Sequence, residues 1–241
     1  MVKFKLHHFK SLTSTQDKAK QFAKKGMRDL IVVSGIQTKG RGRFKREWHS
    51  SKGGLWFSIL LKPKNTENLQ LLTFAAAVSV VQSIEEIAKL NTKIKWPNDV
   101  HFRGRKLCGI LTEGIFGEED YVIVGIGLNV NQKSFPKYIK KIAASLKSIK
   151  NREFDKSRLL ESIVNNFSVL YKNYFEKNKQ VKIIKLWKKY CDTLNRNIKI
   201  VTVKGDIHGK AIGINKDCSL VVKLNSGKKI SVIEGDVSVR H

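Results

Sequence analysis

Acidic residues are scarce in this sequence. Its 20 Asp and Glu face 47 Lys and Arg over 241 residues, a formal net charge of +27. Such a surplus attracts polyanions, whether nucleic acid or an anionic surface. The cations are nevertheless scattered, in KFKLHHFK, KKG, KYIKK and KLWKKY, and form no single basic arm. Most are lysines, whereas readers of nucleic acid enrich arginine at their contacts. The pattern reads as a solvated surface with weak, non-specific polyanion binding at low salt and no specific DNA binding. Cysteine is scarce too. Cys108, Cys191 and Cys218 are odd in number, far apart and form no C-x-x-C pair. That spacing excludes a zinc ribbon and a disulfide framework, and suits a reducing, cytoplasmic location. The opening MVKFKLHHFKS has no apolar h-region, and no run reads as long enough for a membrane span. There is no internal repeat. No G-K-[ST] follows a glycine loop, and the second half of a G-x-G-x-x-G fingerprint is missing.

A hydrophobic fraction of 41% with 9% aromatics supports a real core. Residues 2–10 alternate loosely as an edge strand. Ser14 or Thr15 reads as an N-cap, with a helix to about Lys25 stopped by Gly26. Strands are expected over Leu30–Ser34 and Leu55–Leu61, and a strongly apolar helix over Leu69–Leu90. Thr92–Lys95 is a short strand before the WPND turn. Lys106–Glu113 and Tyr121–Ile126 follow as strands, with a turn at Gly117–Asp120. Residues 155–190 are largely helical, with Leu159, Ile163, Phe167 and Leu170 on one face. After Cys191 the chain becomes a series of short β-rich runs. The expectation is an α/β (α+β) architecture: a mixed β-sheet with packed helices over 1–192, and a small β-barrel of about five strands over 193–241.

Three motifs carry chemistry. The first is GRGRFKREWHSSKGG at 40–54, inside a loop from Gln37 to Gly54 that is too long to be a plain connector. It gathers Arg41, Arg43 and Arg46 among glycines. Guanidinium forks on such a loop suit a phosphate or carboxylate; an exposed turn with surface arginines is the plainer alternative. The second is KWPNDVHFRGRKLCGILTE at 95–113, which offers Asn98 and Asp99 at a rigid turn and Lys106 at a strand start. Asp99, Lys106 and the arginine loop together supply a metal ligand, a point charge and forks, the parts of a nucleotidyl-transfer site. Individually, each is more often a turn or surface residue. The third is VGIGLNVNQ at 124–132. Gly125 and Gly127 would let a flat ligand approach the backbone, and Asn129 could pair with a base edge.

In this order the motifs resemble the biotin protein ligase family. The resemblance runs through Ser14-Thr15, Gln37, G-R-G-R-x-x-R-x-W at 40–48, K-W-P-N-D at 95–99, R-K-L-C-G-I-L-T-E at 105–113, G-I-G-L-N-V-N at 125–131, A-A-S-L at 143–146 and E-G-D-V-S-V-R at 234–240. It implies a class II synthetase-like catalytic domain that joins biotin to ATP and passes it to a lysine of a biotin carboxyl carrier domain. Relatives often pair as homodimers. Many carry S-T-N where this chain has Ser14-Thr15-Gln16. Some carry an N-terminal winged helix-turn-helix, for which no room is expected here. By resemblance Ser14, Thr15, Gln37, Gly40, Arg41, Gly42, Arg43, Trp48, Lys106 and Gly109 surround biotin. Arg43, Arg46, Asn98, Asn129 and Arg240 meet the nucleotide. Arg43, Arg46 and Lys106 are catalytic, and Asp99 organises Mg²⁺. The 40–53 loop is expected to be mobile without ligand. A lipoate or octanoate ligase-type relative, and a basic nucleic-acid-binding protein with a vestigial site, are the competing readings.

Overall fold

The computed structural model describes residues 4–64, 66–174, 177–202 and 205–239. Its larger sheet has seven strands: β1 (Lys5–Phe9), β2 (Leu30–Ser34), β3 (Leu55–Leu61), β4 (Lys93–Lys95), β5 (Asp99–Phe102), β6 (Arg105–Ile115) and β7 (Tyr121–Leu128). Their order is β1-β2-β3-β7-β6-β5-β4. β1 pairs parallel with β2, and the other neighbours are antiparallel. β2 and β3 are buried along their whole length, which explains their near-continuous Leu, Ile and Val content.

Helix α1 (Thr15–Ala23) covers one face of the sheet through Ala19 and Ala23. The other face carries α2 (Gln70–Ala88), with α4 (Lys156–Tyr174) and α5 (Lys177–Tyr190) packed outside it; a short α3 (Leu146–Lys150) precedes them. α2 is long and apolar enough to cross a membrane, contrary to the sequence expectation. Here it is the core helix. Leu71, Leu72, Phe74 and the run Ala75–Val78 are fully buried, and Phe74 stacks on Trp187 of α5 at 4.1 Å. A helix that is apolar all round needs cover on every side, and the sheet and two helices supply it.

β5 and α3 were missed by the sequence reading. β5 is four residues long and lies inside the motif read as a turn, while α3 is a single turn closed by a capping box at Ser145 and Ser148.

The C-terminal part holds β8 (Asn197–Thr202), β9 (Gly205–Ile214), β10 (Leu220–Leu224), β11 (Lys229–Val232) and β12 (Asp236–Val239). Their order is β11-β10-β9-β8-β12, all antiparallel. This corrects the expected barrel: it is an open sheet, because β11 and β12 do not pair among the described residues. Its inner side chains, Ile198, Ile200, Leu220 and Val222, belong to the same apolar core as α2 and the large sheet. Trp96 is the rivet between the two parts. Its side chain is fully buried, its Nε1 donates to Cys218 O at 3.1 Å, and its backbone N donates to Thr193 Oγ1 at 3.0 Å.

Candidate active site

The centre of the large sheet is hollowed by glycine. Gly109 on β6 and Gly125 and Gly127 on β7 face a cavity of about 520 Å³. A Cβ on Gly127 would lie 2.4 Å from Trp48 Nε1, and one on Gly125 would lie 2.8 Å from Gln16 Oε1. The missing side chains therefore admit Trp48 and Gln16 as cavity walls. Trp48 meets Trp56 edge-on at 6.4 Å, and Lys106 Nζ stands over the Trp48 ring at 5.1 Å.

A polar floor ties α1 to the arginine loop. Gln37 Oε1 accepts from Thr15 N at 2.8 Å and Thr15 Oγ1 at 3.1 Å, while its Nε2 donates to Ser50 Oγ at 2.8 Å. Ser58 Oγ donates to Thr15 Oγ1 at 2.8 Å. Ser14 makes no side-chain cap on α1; its Oγ accepts from Arg41 Nη1 at 3.3 Å. Gly40 is closed in between Trp48 O and Ser50 Oγ, 2.5 and 2.4 Å from a notional Cβ, so this turn accepts no larger residue.

The three arginines have different work. Arg41 anchors the loop. Its Nη1 reaches Asp17 Oδ1 at 2.6 Å and its Nη2 reaches Glu113 Oε2 at 3.1 Å. Glu113 also receives Lys20 at 3.1 Å and Gln16 Nε2 at 2.7 Å. Burial alone would raise the Glu113 pKa; Arg41, Lys20 and Gln16 outweigh it and hold the carboxyl below its ordinary value. Arg43 turns inward from a short 3-10 turn (Arg43–Lys45), after Gly42. Its Nη1 donates to Asn98 Oδ1 and to Gly235 O, each at 3.3 Å. Burial lowers its pKa, opposed by the nearby carboxylates of Asp236, Asp99 and Glu234. Arg46 is exposed and ion-paired with Asp236. Two guanidiniums thus stand at the cleft against the C-terminal sheet.

Asp99 is held between two lysines. Its Oδ1 accepts from Lys106 Nζ at 2.6 Å and its Oδ2 lies 3.6 Å from Lys95 Nζ. Among the described residues there is no group of three or more His, Cys, Asp or Glu side chains that could hold an ion. Asp99 is a counter-ion that positions Lys106. Asn98 Nδ2 donates to Ile110 O at 2.7 Å, which leaves its Oδ1 for Arg43. Asn129 is 3% exposed and wedged into the wall, its Oδ1 accepting from Gln132 Nε2 at 3.1 Å. Its Nδ2 donates to Lys106 O at 3.5 Å, and the residue borders the cavity. Arg240 lies outside the described residues; its strand neighbours Asp236, Val237 and Ser238 border the cavity.

Gln16, Asp236 and the segment around Tyr138, Ile139 and Ile142 also line the cleft, Glu113 holds Arg41 and Gln16 in place, and the sequence reading did not assign them. The signal for Glu113 and Asp236 was present: carboxylates are few in this chain, and both stand inside motifs. The 138–142 segment carries no such mark.

A glycine-cleared slot beside Arg43 and Lys106 suits a small anionic ligand, in keeping with the ATP-dependent acid-activating ligase that the motif resemblance implies. Comparison with known proteins narrows the class. Residues 8–131 match the biotin/lipoate A/B protein ligase family, and residues 193–240 match the biotin protein ligase C-terminal domain. The chain is 40% identical over 227 residues to the bifunctional ligase/repressor BirA of Bacillus subtilis, covering 90% of this chain and 69% of that protein. It is 26% identical over 215 residues to the biotin–[acetyl-CoA-carboxylase] ligase of Mycobacterium tuberculosis, covering 86% of this chain and 78% of that one. Its fold superposes on the Aquifex aeolicus biotin protein ligase, solved in complex with biotin and ATP, with a TM-score of 0.87 at 33% identity over 98% of both chains. The chain belongs to the biotin/lipoate A/B protein ligase family, as a biotin protein ligase.

Proposed function

We propose that this protein activates biotin with ATP as biotinyl-5'-adenylate, releasing pyrophosphate, and passes biotin to a lysine of a biotin carboxyl carrier domain. The observation that carries this reading is the pairing of the slot walled by Trp48 and Gln16 with Lys106 and Arg43 beside it. Attack of a carboxylate on an α-phosphate brings two anions together. Arg43, Lys106 and Arg46 would neutralise that repulsion and the charge that grows in the transition state, where one preorganised donor is worth about 10²–10³-fold in rate. Asp99 holds the Lys106 ammonium in place at 2.6 Å. On ATP binding, Arg43 and Arg46 would exchange Gly235 O and Asp236 for phosphate oxygens. No protein nucleophile is required, because the adenylate is itself the activated acyl donor. A magnesium ion would arrive on the triphosphate, which brings its own oxygen ligands. The floor of Thr15, Gln37 and Ser58 would orient the ureido ring through the few hydrogen-bonding groups left to it.

The Mycobacterium tuberculosis and Aquifex aeolicus proteins above are named as biotin ligases, which disfavours the lipoate and octanoate reading. A homodimer belongs to the same proposal, supported by the exposed edge strand β1, as does the absence of specific DNA binding. So does a cytoplasmic location, in keeping with three free cysteines, of which Cys191 is pushed by burial up to about 11. The deciding experiment is mass spectrometry of the protein with biotin, ATP and Mg²⁺, with and without a carrier domain. Retained adenylate, then a single biotin on the carrier lysine, is the expected result. Neither product from folded protein would reject the proposal.

A further inference from the structure

We propose that the acceptor protein docks through an acidic face onto a basic ridge at one side of the cleft mouth, formed by Arg103, Arg105, Lys137, Lys140 and Lys141. This rests on the ligase reading above. All five side chains are exposed. No acidic residue occurs between Asp120 and Glu153, so the lysine segment has no carboxylate of its own. The two parts of the ridge are joined by backbone. Lys106 N donates to Ile142 O at 2.7 Å and Ala144 N donates to Lys106 O at 3.0 Å, which seats the lysine segment against the start of β6, directly after Arg105. Ile139 N and Lys140 N both donate to Pro136 O at 3.0 Å, a helical turn that fixes the spacing of Lys137, Lys140 and Lys141.

The ridge stands at the mouth because Gly104, Tyr138, Ile139 and Ile142 border the cavity itself. Among the described residues none of its five cations is in an ion pair. Clustered unpaired cations repel one another and attract an anionic partner. Two observations select a protein rather than a nucleic acid. Tyr138 is 69% exposed and Ile142 62% exposed among these cations, the apolar centre and charged rim of a protein interface. The place is also the doorway an acceptor lysine has to use. That lysine is a cation approaching Arg43, Arg46 and Lys106, so its entry is opposed unless carboxylates around it are attracted nearby. The ridge supplies that attraction.

The test separates docking from adenylation. Wild type, K137E/K140E/K141E and, as a milder second variant, R103Q/R105Q are given biotin, ATP and Mg²⁺. Hydroxylamine then traps the adenylate as the hydroxamate without any docking. Transfer is measured against the concentration of a biotin carboxyl carrier domain with carboxylates near its target lysine, and of the same domain with those carboxylates changed to amides. The charge-reversal variant is expected to raise the carrier KM by about tenfold or more and to flatten its salt dependence, with hydroxamate formation unchanged. The amide-bearing carrier should be insensitive to both variants. An unchanged carrier KM overturns the proposal. So does equal loss of hydroxamate and transfer in both variants, which would make the ridge part of the adenylate site. Loss of binding to a labelled single-stranded oligonucleotide with an unchanged carrier KM would assign the ridge to nucleic acid instead. Wild type that forms no hydroxamate would sink the ligase reading itself.

Discussion

Arg43 shares its hydrogen bonds between Asn98 and Gly235, two acceptors from distant parts of the chain. Such a shared donor is preorganised where a phosphate would sit. Arg43→Gly should therefore lose about 10²–10³-fold in adenylate formation and let the adenylate escape. Mass spectrometry of a bystander protein should then find biotin on unrelated lysines; full retention of the adenylate would refute this. Asp99 makes a sharper case, since the structure sets it against Lys106 at 2.6 Å. Asp99→Asn should lower the rate of adenylation by about tenfold with little change in its Mg²⁺ dependence, because a hydrogen bond to a charged group is weakened and not abolished. A marked shift in that dependence would instead give Asp99 a part in organising Mg²⁺. Gly127→Ala would push a methyl to 2.4 Å from Trp48 Nε1. Overpacking there should cost about 1–3 kcal/mol, seen as a lower Tm, and raise the biotin KM.

Between elements, Arg41 and Glu113 join α1, β6 and the arginine loop into one unit. Glu113 titrates below its ordinary value in the folded protein. Its contribution is therefore complete above the unfolded value of about 4.3 and fades as the pH falls through the lower folded value. The Tm advantage of wild type over Glu113→Gln should be largest near neutrality and shrink below about pH 4.3. A constant advantage across that range would show that Glu113 acts through packing alone. This anchoring also qualifies the expectation of a mobile loop: its first arginine is tied at 2.6 and 3.1 Å, whereas Phe44, Lys45 and Arg46 are exposed.

Across the whole molecule, the C-terminal sheet shares the core of the larger part through Ile198, Ile200, Leu220 and Val222 and is riveted by Trp96. Urea unfolding followed by far-UV CD and by tryptophan fluorescence should give one coincident transition. Two separated transitions would show that the sheet is an independent unit. The net charge of +27, read from the sequence as a diffuse surface, acquires a local focus at the cleft mouth.

Periodicity and composition were enough to place the buried strands β2 and β3, the core helix α2 and the β-rich C-terminal run, because each repeats a burial pattern over many residues. The family resemblance carried by the motifs was enough to gather Arg43, Lys106, Gly109 and Trp48 at one cleft. Short elements such as β5 and α3 were not legible, since four or five residues are too few to show a period. The use made of each polar group was decided by tertiary contacts alone. Gln132 was placed against Asn129, Lys106 and Lys95 were set beside Asp99, and the expected barrel became an open sheet. Residue type states what a side chain is able to donate or accept; its neighbours in the fold determine how much of that capacity remains for a ligand.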